Sequence, residues 1–466
     1  MTVSRRVLSA WEMAGSLLIL GCLATAPTIG QQPGGGLPET APPPPQAAPY
    51  GAPRSESAMP QETLEDAWRV ALENDQRVEA SRWNITSAES TQAAAQAERF
   101  PYLTVGSSYY VLSDQPTFSV NLPPLPSAQL PFLNRDSVGF QALVTQPLCT
   151  FGRISSGVNA AEETVKANQA ECTRTKLDVK MNVAEIYVVS LRATRLIEVA
   201  ESKMRSLEGH TKDVAGFCER GLVSRNDLLA AQVALADARQ QAMQTHNMLQ
   251  VAYAAYNRAL GRRLDLAVNL AELRDAGAAG DVEQWTTMAM QLRPEIAGLS
   301  AQARALREQA AGVRAKKAPQ IGLEGGYVYQ RDQYVDPNGV AMLAVGLEWT
   351  PVDSGRISNQ AAALSEKAEA LIRLRKDAES MIALEVRQKW LDLQTAQQRV
   401  PVTRQATAQA DDNVRIARDR YQQQVGTNTE VLDAETLRVQ AYTNFYNSTY
   451  ESVLAELRLR RAVGNL

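Results

Sequence analysis

Apolar positions first step along the chain with a helical period. Behind Thr63, placed to cap a helix, Ala67, Ala71 and Val78 begin a pattern that runs to about Arg99 and stops before Pro101. From Tyr102 to Leu112 the period becomes two, with Leu103, Val105, Ser107, Tyr109 and Val111 on one face, and Val138, Phe140, Ala142 and Val144 repeat it on a return segment. After Gly152 no proline occurs until Pro294, and Leu177, Met181, Ala184, Val188 and Leu191 step by four and three, as a coiled-coil seam does. This predicts one helix from about Ile154 to Arg220, ~100 Å long at 1.5 Å per residue. A break at Gly221 and a second helix from Ser224 to Leu260 follow.

The same series then returns. Ile321, Leu323, Gly325, Tyr327 and Tyr329 alternate, then Leu343, Val345, Leu347 and Trp349. A long helix is expected from about Ile357 to Gln424, with Pro401 kinking or interrupting it. A break at Gly426 and a final helix to Val463 complete the copy. Gly152-Arg153-Ile154-Ser155 matches Gly355-Arg356-Ile357-Ser358, and Arg258-Ala259-Leu260-Gly261 matches Arg461-Ala462-Val463-Gly464, both at an offset of 203 residues. Upstream, Pro101 pairs with Pro319 and Tyr109 with Tyr327 at an offset of 218. So long a period excludes a solenoid and implies two pseudo-equivalent halves.

Each alternating segment is about ten residues, which suits a tilted transmembrane strand and equally a soluble hairpin. Two hairpins give four strands, whose open edges lipid cannot satisfy, so in a membrane several chains must pool them. The first hairpin also carries a proline-rich stretch, Gln115 to Pro131, readable as a longer extracellular loop or a disordered insertion.

Composition narrows the class. Aromatics are only 6% of the 466 residues, which favours long helices, and a net charge of -3 with interspersed signs gives no footprint for nucleic acid. Arg5, Arg6 and the apolar run from Met13 to Leu23 read as an export signal within residues 1–30. Ala24-Thr25-Ala26 offers a cleavage site that Pro27 obstructs, while Ile19-Leu20-Gly21-Cys22 resembles a lipoprotein box with Leu20 atypical, making Cys22 a candidate lipidation site. Residues 31–60, rich in Pro and Gly, form a tether; 61–262 and 281–464 are the two repeats, joined by a linker at 263–280. Cys149, Cys172 and Cys218 read as unpaired apolar residues, and His210 and His246 as exposed helical histidines. No motif calls for a metal or cofactor, and no enzyme activity is expected.

Two repeats of helix, β-hairpin, long helix and helix in an exported chain resemble the TolC family of outer-membrane efflux proteins. The similarity covers roughly residues 62 to 464. It is carried by Gln146-Pro147-Leu148 leading to Gly152-Arg153, by Gly221-Leu222-Val223-Ser224, and by Val425-Gly426-Thr427-Asn428-Thr429-Glu430-Val431-Leu432-Asp433-Ala434. The resemblance implies a mainly α fold with a membrane β-barrel. In it three protomers pool twelve strands above a helical barrel in the periplasm, as a passive exit duct of a tripartite efflux or type I secretion system. It implies Glu430 and Asp433 as an acidic periplasmic gate. The first copy offers only Asp227 in register, with Ala230 opposite Asp433, and a solvated helix face remains the other reading of the pair. Gly221, Leu222, Val223 and Ser224, with Val425, Gly426 and Thr427, are implied as contacts for a periplasmic adaptor, and through it an inner-membrane transporter; as plain helix-ending turns they need no partner.

Two other classes compete. A periplasmic adaptor has one helical hairpin flanked by lipoyl-like domains, where this chain has two hairpins at a fixed offset. A structural coiled-coil envelope protein has no use for period-two segments ending in Tyr109-Tyr110 and Trp349, aromatics suited to a membrane interface.

Overall fold

The computed structural model describes residues 61–466 except 122, 125, 274–276 and 278–279. The export signal, the tether and Cys22 lie outside them. Eight helices and six strands follow in the described residues: α1 (Leu64–Asn74), α2 (Gln76–Ala97), β1 (Tyr102–Val111), β2 (Thr117–Val120), β3 (Ala128–Pro131), β4 (Asp136–Cys149), α3 (Arg153–Glu219), α4 (Arg225–Ala259), α5 (Val282–Leu292), α6 (Pro294–Ala315), β5 (Gln320–Arg331), β6 (Gly339–Glu348), α7 (Arg356–Gln422) and α8 (Asn428–Val463).

The single helix expected before each hairpin is two. In the first copy Asp75 ends α1 and caps α2, its carboxylate accepting the amide of Arg77 at 2.8 Å. In the second, Pro294 occupies the first turn of α6 and pushes Arg293 into extended backbone. Pro401 does not interrupt its helix: α7 continues through it. The surrounding helix is held by packing on α8, where the Thr403 and Ser448 hydroxyls meet at 2.6 Å. Gln115–Pro131 is neither a plain loop nor disordered in its described residues, because β2 and β3 pair there as a hairpin.

The long helices set a scale of about 100 Å, from 67 residues at 1.5 Å each. Towards the strands, the helices pack in the order α2, α3, α6, α7; towards the far turns the order is α4, α3, α8, α7. Short helices α1 and α5 cover the joint, α1 on α3 and α5 on α7 and α8. Leu177, Ala184, Val188 and Leu191 are buried as their spacing requires, and the last three join Val183 and Tyr187 in the cluster that receives Leu64, Ala67 and Ala71 of α1. The Tyr187 hydroxyl reaches the carbonyl oxygens of Glu62 and Ala271 at 2.8 and 2.7 Å, pinning both ends of the first repeat to its long helix.

Candidate functional site

β1, β4, β5 and β6 form one antiparallel sheet in that order, β4 pairing with β5 across the two repeats. Its register sorts the side chains. Leu103 stands opposite Val144, Val105 opposite Ala142 and Tyr109 opposite Val138. Phe140 faces Tyr329, Ala142 faces Tyr327, and Leu323 and Gly325 face Val345 and Leu343. Every residue of the predicted alternation except Trp349, which lies just past the end of β6, therefore falls on one side, and most of that side is exposed, up to 77% at Leu343. The other side is the more polar, with Thr104, Ser108, Gln141, Thr145, Glu324 and Gln330 interspersed with glycines and with Leu143, Val328, Val340 and Met342. A continuous apolar face of this size facing water is unfavourable; against lipid it is the required surface, with the polar side turned to a lumen. Both edge strands, β1 and β6, lack a partner on one side within the described residues.

The turns at the opposite end of the long helices are duplicated but not identical. After α3, Gly221 takes φ +72°, with Gly221 N–H bonded to Cys218 O at 3.0 Å and Leu222 N–H to Phe217 O at 2.9 Å. That is a Schellman cap, which demands left-handed backbone at one position. After α7 the same bonds run from Gln424 to Tyr421 and from Val425 to Arg420, both 3.0 Å, and it is Gln424 that carries φ +62°. The expectation that Gly426 makes this turn is thus corrected: the 203-residue register sets Gln424, not Gly426, opposite Gly221. Gly426 serves close approach, since a Cβ there would meet the Arg420 Cβ at 3.0 Å and the Tyr421 amide nitrogen at 3.1 Å. Leu222 and Val425 are exposed at the two tips.

Ser224 and Thr427 then cap α4 and α8. Ser224 forms a full capping box, because the Asp227 carboxylate returns a bond to the Ser224 amide at 3.2 Å. Thr427 accepts the Glu430 amide at 3.2 Å, but the Glu430 side chain instead points to the Arg420 Nε at 3.8 Å. Glu430 and Asp433 are both exposed, one turn apart on α8, and Asp433 makes no ion pair among the described residues. The first repeat spends its carboxylate on a cap, whereas the second leaves two carboxylates facing out.

Behind this exposed pair lies a cluster that sequence reasoning missed. Glu435 is fully buried, its carboxylate held by Arg418 of α7 at 2.7 Å, by Arg438 at 3.1 Å and by the Ser206 hydroxyl of α3. A signal existed: Glu435 follows Val431 by four, so it continues the apolar stripe of α8 where a carboxylate must find cations. His210 is likewise not the exposed histidine its surroundings in sequence suggested. It is 4% exposed, its Nε2 lying 2.7 Å from the Asn428 Oδ1 and its ring packing edge-on to Tyr421 at 5.0 Å. Burial, the largest influence, and the Arg418 guanidinium hold its pKa below the ordinary imidazole value, against Asn428, Asp213 and Glu435. His246 is exposed as expected. Cys149, Cys172 and Cys218 are free thiols. Among the described residues no cluster could hold a metal, and no helix is long and apolar enough to cross a membrane.

The model of the outer membrane efflux protein family matches residues 68–262 and again 285–465, one match for each repeat. The chain belongs to the outer membrane efflux protein family. No curated protein matches the sequence. Among solved structures it is similar to the outer-membrane channel OprN (16% identity, TM-score 0.72, covering 86% of this chain and 90% of that one). The outer membrane protein VceC of Vibrio cholerae gives 17% and 0.71 over 86% and 96%. CusC, described as forming a transmembrane channel, gives 16% and 0.73 over 90% and 96%. At such identities the likeness shows the fold, a TolC-like one with two repeats. Membership places this efflux protein in the outer membrane, its strands in the bilayer and its helices in the periplasm.

Proposed function

We propose that this efflux family member works as a homotrimer, a passive exit duct fed by an inner-membrane transporter through a periplasmic adaptor. One observation carries the reading: a four-stranded sheet, apolar on one face and polar on the other, has an open edge on each side. Lipid tolerates no unpaired strand edge, and three such sheets closing on one another leave none. The helical layer has matching open flanks. α4 exposes Val233, Met243 and Val251, and α7 exposes Met381 and Leu384. Substrate passes along the lumen without chemical change, and neither cofactor nor nucleic acid has a part.

Residues 61–262 and 281–464 are the two repeats of each wall, with 263–280 between them. Glu430 and Asp433, brought together three times around the axis, make a ring of six carboxylates that admits cations and resists anions. Gly221, Leu222, Val223, Ser224, Val425, Gly426 and Thr427 form the surface for the adaptor's helical hairpin. Cys22 carries a lipid that adds an anchor to the same membrane. The test is the mass of the purified complex together with its single-channel conductance in a planar bilayer. A monomeric mass or the absence of conductance at any voltage and salt sinks this reading.

A further inference from the structure

We propose that His210 is an acid-released latch: as a neutral imidazole it ties the first helical hairpin to the turn of α8 that bears Glu430 and Asp433, and protonation frees that turn. The assignment of a gate to this turn rests on the channel reading above; the latch itself rests on the following geometry.

Asn428, the first residue of α8, is 4% exposed and makes two side-chain bonds across hairpins. Its Nδ2 donates to the Asp227 carbonyl oxygen of α4 at 3.1 Å, which turns its Oδ1 towards His210 Nε2 at 2.7 Å. The amide orientation is therefore fixed by its other partner, and His210 must be the donor, with the proton on Nε2; a second proton goes to Nδ1 and keeps that bond, so it opposes latching only through the cost of a buried charge. One amide links three helices, and the only titratable member of the chain of bonds is the imidazole.

The surroundings decide what a second proton would cost. A cavity of about 140 Å³ lies beside the ring, lined by Arg205, Ser206 and Asp213 of α3 and by Arg418 and Tyr421 of α7. Facing His210 are thus two cations, Arg205 and Arg418, with Asp213 on its own helix and Glu435 of α8 as the anions. Glu435 is already ion-paired with Arg418 and Arg438. An imidazolium here is desolvated and beside a guanidinium, and the pKa of His210 in the latched form is accordingly lowered.

The sign follows. A latched form whose imidazole has a depressed pKa binds fewer protons than a released form whose imidazole is solvated. Latching is complete above the solvated value of about 6.5 and weakens as pH falls through it. One proton per latch gives at most about a tenfold change in the released population for each pH unit.

Amide hydrogen exchange of the full-length protein in detergent tests this directly, comparing the segment 425–436 with α1, residues 64–74, as an internal reference for intrinsic pH effects. Between pH 8 and 5, above the ordinary carboxylate range of about 4, exchange of 425–436 relative to the reference is expected to rise below pH ~6.5, by at most about tenfold per unit. His210→Gln, which can keep the bond to Asn428 but cannot titrate, is expected to give a flat profile, as is His210→Phe, which keeps the ring volume. A flat profile in the unmodified protein, or the same acid rise in both variants, overturns the latch. Because the readout requires no conduction, a protein that shows the His210-dependent rise but never conducts retains the latch and loses the channel reading.

Discussion

Gln424 occupies in the second repeat the left-handed position that Gly221 occupies in the first, at φ +62° against +72°. Left-handed backbone costs a residue with a Cβ roughly 1 kcal/mol more than glycine. The turn after α7 therefore carries strain that the turn after α3 does not. Gln424→Gly is expected to stabilise the protein by about 0.5–1 kcal/mol, offset in part by added freedom of the unfolded chain. Gly426→Ala, whose methyl would press on the Arg420 Cβ, is expected to destabilise by a similar amount or more. Thermal unfolding in one detergent, followed by circular dichroism, checks both; a lower midpoint for Gln424→Gly refutes the strain argument.

The two faces of the sheet make opposite predictions for neighbouring residues. Val345, 69% exposed on the apolar face, should not tolerate arginine: a cation at mid-membrane costs about 2–4 kcal/mol. Ala344, next in sequence and turned to the polar face opposite Glu324, should accept it. Refolding yield into lipid vesicles separates the cases. Equal yields for Val345→Arg and Ala344→Arg mean that the face assignment is wrong.

These faces were legible in the sequence because a strand's period of two writes its environment directly into alternate residues. The repeat was legible too, since Gly152-Arg153 and Gly355-Arg356 both mark the step from strand to long helix. What the sequence hid were features set by partners distant along the chain. The break at Asp75 looks like one more polar residue in a helix until its carboxylate is seen to cap the next one. His210 sits among Glu208, Gly209 and Lys212, a polar stretch that reads as exposed, and is buried only because Asn428 and Tyr421 arrive 218 and 211 residues later. Glu435 was overshadowed by the exposed carboxylates beside it. The proposed gate residues themselves were found through resemblance, and their exposure is consistent with a ring or with solvent alone.

Glu435→Gln removes the negative charge on which Arg418 and Arg438 converge. Leaving a buried ion without its partner costs about 3–5 kcal/mol when the site cannot admit water. Arg418 is one third exposed, so the lower end applies. The expected result is a lower unfolding midpoint together with faster hydrogen exchange in α8 around residues 431–438, and unchanged exchange in α1. Uniform loosening of the whole protein would show instead that Glu435 supports the core at large rather than the junction of α3, α7 and α8.

Asp227 and Glu430 hold corresponding places in the two repeats and are predicted to do different work. Asp227 spends its carboxylate on the Ser224 amide and hydroxyl, at 3.2 and 2.8 Å, so Asp227→Asn should cost about 1 kcal/mol of helix capping. It should leave cation block of the pore as it was. Glu430 makes no such return bond, and with Asp433 it is exposed. Glu430→Gln with Asp433→Asn should therefore change the unfolding free energy by no more than about 0.5 kcal/mol, as surface changes do, and abolish block by divalent cations added on the periplasmic side. The measurement is single-channel current against cation concentration for the two mutants side by side. Block that survives in the Glu430, Asp433 double mutant removes the gate assignment, and block that weakens in Asp227→Asn shows that the first repeat also reaches the constriction.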